Sequence, residues 1–254
     1  MAHIKMIIQY DGTNYFGWQS QKKGQTIQGK IEEILYKILK KPIKIRGAGR
    51  TDAGVHALAQ VASFKADLKI SLSVLKKVLN SLLPKDIRII NLEEVDDHFH
   101  PQYSVKRKSY IYYLCIDEEC SCFIQRYVWH YPRKLNLDLI DEALSLFKGT
   151  KDFTAFSGST DVKNRVRTVY DFTMQKLDSL SFMDMQINGS FIKFRIEADG
   201  FLRYMVRNIV GCIVEVGREK LSIDAIRKAF NSGERPSSMQ TAPPHGLFLE
   251  EIYY

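Results

Sequence analysis

The order of strand-like and helix-like segments is the feature that most constrains the fold of this chain. Residues 3–10 alternate polar and apolar side chains, and Ile4 and Ile8 share one face, which is typical of a half-buried strand. After Thr26, a residue that can cap a helix, apolar side chains recur at helical spacing. A strand and a helix are followed by two strands, a helix and two strands, and then by a helix, three strands, two helices and a last strand. This order predicts an α+β fold rich in antiparallel pairs, with helices on one side.

Turn signals mark several ends of these segments. Pro42 ends the first helix, and residues 43–45 are expected to form a short strand after it. The Asn188-Gly189 pair is a strong hairpin signal, so a turn between two strands is expected there. No low-complexity linker interrupts the chain. Two closely joined halves are therefore expected as domains, residues 1–105 and 106–254.

Two helices are predicted from clear apolar stripes. Residues 201–217 are expected to form one of them, with Leu202 and Val206 in the buried stripe. Arg203 and Arg207 lie four residues apart in this segment and are therefore expected on one helix face. Such a pair can bind phosphate or a buried carboxylate, and a solvated surface pair is the alternative. The other helix is predicted in residues 71–83, and its inward-facing residues are expected to be Val74, Leu75, Val78, Leu79 and Leu82.

The charge distribution favours a polyanionic partner. The net charge is +8 and the isoelectric point is about 9.2. Basic residues cluster in residues 37–50, 106–108 and 163–167, and aromatic residues lie beside the last two clusters. Because cations bind phosphates and aromatic rings stack on unpaired bases, this combination favours RNA. A basic protein with no such partner is the alternative that charge alone leaves open.

Membrane and cofactor signals are weak throughout the sequence. No apolar run approaches the ~20 residues that span a bilayer, and the N-terminus lacks the pattern of a signal peptide. A cytoplasmic protein without membrane association is therefore expected. The cysteines of the Cys115–Cys122 stretch do not have zinc-site spacing, and His98 and His100 lack a convincing third ligand. Since dinucleotide-binding and P-loop motifs are also missing, neither a metal nor a cofactor is expected.

The stretch RGAGRTDAG, residues 46–54, combines three glycines with a single carboxylate, Asp52. Glycines allow unusual backbone angles and the close approach of a ligand. The neighbouring cation Arg50 favours the ionised form of the carboxyl group. An ionised aspartate can act as a nucleophile or as a general base. An aspartate that only caps its own loop is the alternative.

The residues alone leave three functions open. The first is an enzyme that uses Asp52 on a nucleoside in RNA. The second is an RNA-binding module without chemistry, in which aromatic residues such as Tyr110 stack on bases. The third is a glycosyl hydrolase, which normally needs a second carboxylate. No motif places a second carboxylate near Asp52, and this counts against the hydrolase.

Five stretches, read in order, resemble the tRNA pseudouridine synthase A (TruA) family. They are YDGTNYFGWQ, GRTDAGVHA, FHPQYSVKRKSYIYYL, GFLRYMVRNIVG and TAPPHGLFL, and they are distributed over essentially the whole chain. The resemblance implies a pseudouridine synthase fold, in which two similar α/β halves share a mixed, largely antiparallel sheet with helices packed on it and a central cleft. It implies the isomerisation of uridine to pseudouridine at positions 38 to 40, in the anticodon stem-loop of tRNA, by a homodimer without a cofactor.

The same resemblance implies roles for individual residues. Asp52 matches the catalytic carboxylate of the family, and Tyr110 matches the tyrosine that stacks on the flipped uracil. Arg207 matches the basic residue that pairs with the catalytic aspartate. A related enzyme that acts on another RNA is the alternative that the resemblance leaves open. The other expected substrate-binding residues are Arg50, for a phosphate or for holding the loop, and Leu202 and Val206, for the apolar walls of the pocket.

Overall fold

The computed structural model describes residues 1–158 and 163–254, which divide into two compact units. The first unit comprises Met1–Lys106 and Phe248–Tyr254, and the second comprises Arg107–Leu247. Each unit combines helices with strands, and most strand pairs are antiparallel. The predicted α+β class is therefore confirmed. The assignment of residues 1–105 and 106–254 to separate domains stays a prediction.

The first unit has helices and a mainly antiparallel group of strands. Strand β1 lies between β4 and β3 and is antiparallel to both, while β10 runs parallel to β3. Strand β2 pairs with β3. These elements are β1 (Ala2–Tyr10), α1 (Ile27–Leu39), β2 (Arg46–Gly47), β3 (His56–Ala66), α2 (Leu72–Leu82), β4 (Ile87–Glu94) and β10 (Leu247–Tyr253).

The strand predicted at residues 43–45 is wrong. The backbone groups of Ile45 are bonded to side chains of α1: its N–H donates to Oε1 of Glu32 at 3.0 Å, and its carbonyl accepts from Nε2 of Gln28 at 3.1 Å. These side chains replace the partner strand that the prediction required. The residues that do pair with β3 are the next two, Arg46 and Gly47.

The second unit has four antiparallel strands in the order β5, β9, β8, β7, and β6 pairs in parallel with β5. Helix α3 packs on α4 and α5. Phe147 on α3 lies within 5.0 Å of Phe156 and 5.5 Å of Phe230, measured between ring centroids, at the centre of this core. The elements are β5 (Arg107–Cys115), β6 (Trp129–His130), α3 (Leu137–Phe147), β7 (Gly149–Asp152), β8 (Val166–Phe182), β9 (Met185–Ala198), α4 (Met205–Gly217) and α5 (Ile223–Ser232).

The hairpin turn predicted at Asn188-Gly189 is wrong. Strands β8 and β9 are joined at Met183-Asp184, and Asn188 and Gly189 lie inside β9. The pairing register of β8 and β9 shifts at this point. Asn-Gly therefore marks a β-bulge here, which is the other common role of a glycine in a strand.

Helix α4 begins later than predicted, at Met205 rather than at residue 201. Tyr204 precedes it in the left-handed conformation, with φ 61° and ψ 0°. Arg203 therefore lies outside the helix, and the prediction that Arg203 and Arg207 share a helix face is wrong. Leu202 also precedes the helix, although it is buried as expected, 6% exposed.

Four of the helices in the described chain begin with a side chain that accepts a hydrogen bond from the first turn. The predicted cap Thr26 is confirmed. The stripe predicted for α2 is correct at Leu75 and Leu79, whereas Val74 and Leu82 are exposed because the helix buries a narrower face. The capping pairs are Thr26 with Gly29, Ser71 with Val74, Asn136 with Leu139, and Ser222 with Ala225.

Candidate active site

Asp52 lies in the loop between β2 and β3, and its side chain is half-buried. The preceding Thr51 is buried, while Arg50 is exposed. The backbone turns sharply after the carboxylate: the N–H of Val55 donates to the carbonyl of Asp52 at 3.2 Å. Gly54 has φ +77°, so glycine supplies the backbone angle that this turn requires.

The loop that carries Asp52 is held by the segment that follows β1. The N–H of Trp18 donates to the carbonyl of Thr51 at 3.1 Å, and the N–H of Gly54 donates to the carbonyl of Tyr15 at 3.3 Å. The hydroxyls of Tyr10 and Thr51 are hydrogen-bonded at 2.7 Å. Burial raises the pKa of Tyr10, which keeps its hydroxyl protonated and available for this bond. Backbone and side-chain bonds therefore fix the loop on both sides of the carboxylate.

Two glycines of the motif YDGTNYFGWQ explain why this segment can approach the loop so closely. A Cβ atom added to Gly17, which has φ +83°, would lie 2.5 Å from the carbonyl oxygen of Thr51. A Cβ added to Gly12 would overlap the carbonyl oxygen of Val55. Any side chain at these positions would push the loop away. Gly12 and Gly17 of YDGTNYFGWQ therefore allow this segment to pack closely against the loop of GRTDAGVHA.

His56 and Gln60 support the loop from the start of β3. Nδ1 of His56 accepts a hydrogen bond from the N–H of Gly12 at 3.1 Å, and its ring stacks on Phe248 with centroids 4.6 Å apart. Nε2 of Gln60 donates to the carbonyl of Gly49 at 3.0 Å. Because both side chains are almost fully buried, they fix the base of the loop.

In the second unit, Tyr110 lies on β5 and is 8% exposed. Its ring meets Phe201 edge to face, with centroids 5.0 Å apart. Lys108 lies two residues earlier on the same strand and therefore points to the same face. Burial, with repulsion from Arg167, lowers the pKa of Lys108 to about 8. One strand thus carries an aromatic ring and an easily deprotonated amine side by side.

Arg207 lies in the first turn of α4 and is held from two sides. Its Nε donates to the carbonyl of Ala242 at 2.8 Å, and the N–H of Ala242 donates back to its carbonyl at 3.0 Å. Its guanidinium carbon lies 5.2 Å from the centre of the Tyr204 ring. Val206, the preceding residue, is buried, 5% exposed. Arg207 is therefore a fixed cation at the start of a buried helix.

A buried polar network that was not predicted from the sequence anchors α4. Asn208 is fully buried, and its Nδ2 donates to the carbonyl of Phe156 at 2.9 Å. Its Oδ1 accepts from Arg235 at 3.1 Å and from Thr241 at 2.7 Å. A single asparagine inside an apolar stripe is the signal that could have indicated such a network.

Each unit thus brings together its own set of predicted residues. Arg50 and Asp52 share one loop of the first unit. In the second unit, Val206 and Arg207 lie in the first turn of α4, and Leu202 lies shortly before it. Phe201 joins this second group to Tyr110 through the ring contact. The predicted loop, strand and helix start therefore present their residues on ordered, well-packed backbone.

His100, one of the two histidines considered as metal ligands, has a structural role. Nδ1 of His100 accepts from the N–H groups of Gln102 and Tyr103, both at 3.2 Å, and so closes a turn. Within residues 1–158 and 163–254, no three His, Cys, Asp or Glu side chains are placed to hold a metal ion. In the same part of the chain, no helix has both the length and the apolar character needed to cross a membrane.

Comparison with known proteins adds independent information. A family model described as tRNA pseudouridine synthase matches residues 6–104 and 143–254. A Thermodesulfovibrio yellowstonii protein named tRNA pseudouridine synthase A is 76% identical over 254 residues, which is 100% of both chains. The protein of that name from Geobacillus sp. is 43% identical over 99% of this chain and 98% of its own. A Protochlamydia amoebophila protein named tRNA pseudouridine synthase A 1 is 44% identical over 100% of this chain and 97% of its own.

Proposed function

The chain belongs to the tRNA pseudouridine synthase family and is an isomerase that acts on uridine in tRNA, and we propose that Asp52 is the carboxylate that carries the reaction. The observation that carries this proposal is the construction of its loop. Residues of a separate motif hold both sides of Asp52 through backbone hydrogen bonds and glycine contacts. A loop built with this precision suits a group that must meet a reacting atom.

The reaction needs a carboxylate but no second substrate. The bond from C1′ to N1 of uracil breaks, a bond from C1′ to C5 forms, C5 loses its proton and N1 gains one. No electrons are exchanged with a cofactor. An ionised Asp52 can attack C1′ or take a proton from the sugar, and either step labilises the bond to the base. The half-buried position leaves the carboxylate partly accessible to a nucleotide.

We assign the remaining residues to binding of the flipped uridine. Tyr110 stacks on the uracil from its strand, and Arg207 is the basic partner of the catalytic carboxylate. Arg50, exposed beside Asp52, binds phosphate or holds the loop. Leu202 and Val206, both largely buried, form the apolar floor behind Arg207. Removing a base from its stack costs a few kcal/mol, and these contacts offset that cost.

We further propose the anticodon stem-loop, positions 38 to 40, as the substrate, and a cytoplasmic homodimer as the active form. The basic clusters in residues 37–50 and 106–108 and the net charge of +8 suit a polyanion as large as tRNA. Because a stem end opens more easily than a long duplex, uridines there are easier to extrude.

Tritium release from tRNA labelled at C5 of uridine tests the role of Asp52. Wild type is expected to release tritium, and Asp52→Asn to bind the tRNA but release none. Asp67→Asn removes the same charge at an exposed position and serves as the control, with activity unchanged. Equal release by wild type and Asp52→Asn would refute the assignment.

The RNA-binding module without chemistry, which the residues alone left open, gives a different expected result, because the basic and aromatic clusters serve RNA binding with or without Asp52. It predicts that neither wild type nor Asp52→Asn releases tritium while both bind tRNA equally. Mapping the product by carbodiimide-dependent stops of reverse transcription tests the substrate proposal, since stops outside positions 38 to 40 contradict it. Sedimentation of the protein with and without tRNA tests the homodimer.

A further inference from the structure

The start of α4 differs from every other α-helix start in the described chain. The four other α-helices begin with a side-chain cap, whereas Tyr204, the residue before α4, makes no cap hydrogen bond from its side chain. Tyr204 has the left-handed angles φ 61° and ψ 0°, which cost free energy for any residue with a Cβ atom. A tyrosine gains nothing from this conformation itself. Such strain persists where the surrounding structure requires it, and it is common at functional sites.

The strained backbone places the Tyr204 ring between charged groups and a close neighbour. The guanidinium carbon of Arg203 lies 4.7 Å from the ring centre, and that of Arg207 lies 5.2 Å from it. Nη2 of Arg203 also donates to the Tyr204 hydroxyl at 3.0 Å. A Cβ added to Gly158 would overlap the ring, and the N–H of Gly158 donates to the carbonyl of Arg203 at 2.9 Å. The ring is therefore fixed in place from several sides.

Arg207 needs such support because of where it lies. A cation in the first turn of a helix meets the positive end of the helix dipole, which disfavours it there. Its long side chain also has many rotamers, and fixing one of them costs entropy. The carbonyl of Ala242 takes the Nε hydrogen and fixes one edge of the guanidinium. The Tyr204 ring lies against the same group and restrains its plane.

We propose that Tyr204 is a positioning residue for Arg207. The Ala242 carbonyl and the Tyr204 ring together restrict the orientation of the guanidinium. The left-handed backbone is the means by which the ring reaches Arg207. This inference rests on the proposed function, in which Arg207 is the partner of the catalytic carboxylate.

Substitutions at Tyr204 separate its ring from its backbone. Tyr204→Gly removes the ring and at the same time relieves the left-handed strain, so the protein is expected to fold at least as stably as wild type. Tyr204→Phe keeps the ring and removes only the hydroxyl. Met183→Gly is the matched control, because Met183 has the same left-handed backbone, φ 55°, and an exposed side chain in the turn between β8 and β9.

Tritium release is measured in single turnover with enzyme in excess, and tRNA affinity is measured separately. Tyr204→Gly is expected to slow the rate at saturation ~10- to 100-fold, since small misplacements of a catalytic group have effects of this size. Its tRNA affinity is expected to stay within about threefold of wild type, and Tyr204→Phe and Met183→Gly to keep the wild-type rate within about twofold. An unchanged rate for Tyr204→Gly, or a change in affinity alone, overturns the inference.

A double-mutant cycle with Arg207→Gln shows whether the ring acts through Arg207. In that background, Tyr204→Gly is expected to cost less than about twofold in rate, because the group that the ring positions is gone. Rate losses that multiply would show that Tyr204 acts independently and would overturn the inference. A wild-type protein that releases no tritium contradicts the proposed function itself, whereas full activity of Tyr204→Gly contradicts only the role of Tyr204.

Discussion

The Asp52 loop and the start of α4 are two of the three backbone segments that carry candidate site residues, and they are held in different ways. Backbone hydrogen bonds from Trp18 and Gly54 hold the loop, and Gly17 fits against it without a side chain. The start of α4 has a strained tyrosine and stacked cations instead. The position of the loop is therefore expected to depend on close packing. The position of Arg207 is expected to depend on the ring of Tyr204, whose left-handed backbone costs stability.

This difference has a consequence for mutation. A change that disturbs the packing of the loop must affect folding and activity together, because the same contacts serve both. A change that removes the Tyr204 ring can affect activity without loss of stability, because the left-handed backbone that holds this ring costs free energy. Substitutions in the two segments therefore separate the two kinds of support.

The largest effect is expected at Gly17. An alanine there puts its Cβ 2.5 Å from the carbonyl of Thr51 and must keep φ +83°. Backbone strain and overpacking together are expected to lower the free energy of unfolding by ~2–4 kcal/mol, and displacement of the Asp52 loop to slow tritium release ~100-fold or more. Urea unfolding and single-turnover tritium release measure the two quantities.

Gly233→Ala is the control for backbone strain alone. Gly233 ends α5 with φ +73°, and the nearest atom to an added Cβ is 3.5 Å away. This variant is expected to lose ~1 kcal/mol of stability, with wild-type activity. If Gly17→Ala were no worse than Gly233→Ala, close packing would not be what holds the loop.

A smaller effect, on rate only, is expected for Arg207→Lys. Lysine keeps the charge but has no Nε–H for the Ala242 carbonyl and no planar group to lie on Tyr204. Loss of correctly oriented donors is expected to slow tritium release at saturation ~100-fold, with tRNA affinity little changed. Arg227→Lys, at an exposed pair with Asp224 on α5, is the control with no expected effect. A wild-type rate for Arg207→Lys would show that charge alone suffices.

The same difference explains how much of the site could be predicted from the sequence. The glycines around Asp52 indicated a tight, closely packed loop, because glycine is the residue that such packing requires. Nothing in FLRYMVRN indicated that Tyr204 adopts a left-handed angle, since tyrosine rarely does so. The apolar spacing therefore extended the predicted helix through residues 201–204, and Arg203 was placed on the wrong element.

Prediction of the whole fold from the sequence has the same limit as prediction of the site. Strands and helices with a clear period were predicted correctly, among them the strand at residues 3–10, which is β1, and the helix at residues 71–83, which is α2. Two details depended on tertiary partners instead. Ile45 is bonded to side chains of α1 rather than to a strand, and the turn of the β8–β9 hairpin lies at Met183-Asp184, away from the Asn-Gly pair. A single sequence does not record which partner a backbone group will find.

A pH experiment tests whether the second unit contains a destabilising group outside α4, namely the buried amine of Lys108. Burial lowers the pKa of Lys108 to about 8, below its usual 10.5, so the folded state disfavours its charged form. Between these two values the unfolded chain binds a proton that the folded chain does not, and stability therefore rises with pH. Below pH 8 both states are protonated and the cost of the buried charge is fully present.

Lys108→Met removes this contribution. The wild-type free energy of unfolding, minus that of Lys108→Met, is expected to rise from pH 8 to pH 10 and to be flat from pH 6 to pH 7. Taking the difference cancels the other titrating groups that the two proteins share. Urea unfolding across this range provides the measurement. A difference that stays constant up to pH 10 would show that Lys108 keeps its ordinary pKa and that its charge is not strained.

The smallest effect is expected at Ser222, which caps α5 by accepting from the N–H of Ala225 at 3.2 Å. Ser222→Ala leaves that N–H without its cap and is expected to lower the free energy of unfolding by ~1 kcal/mol, with no change in the rate of tritium release. This is the inverse of the result expected for Tyr204→Gly, which keeps stability and loses rate. When the two variants are measured side by side, Ser222→Ala is expected to lower only the free energy of unfolding, and Tyr204→Gly only the rate of tritium release. Equal losses of stability in both variants would show that α4 is held at its start like any other helix.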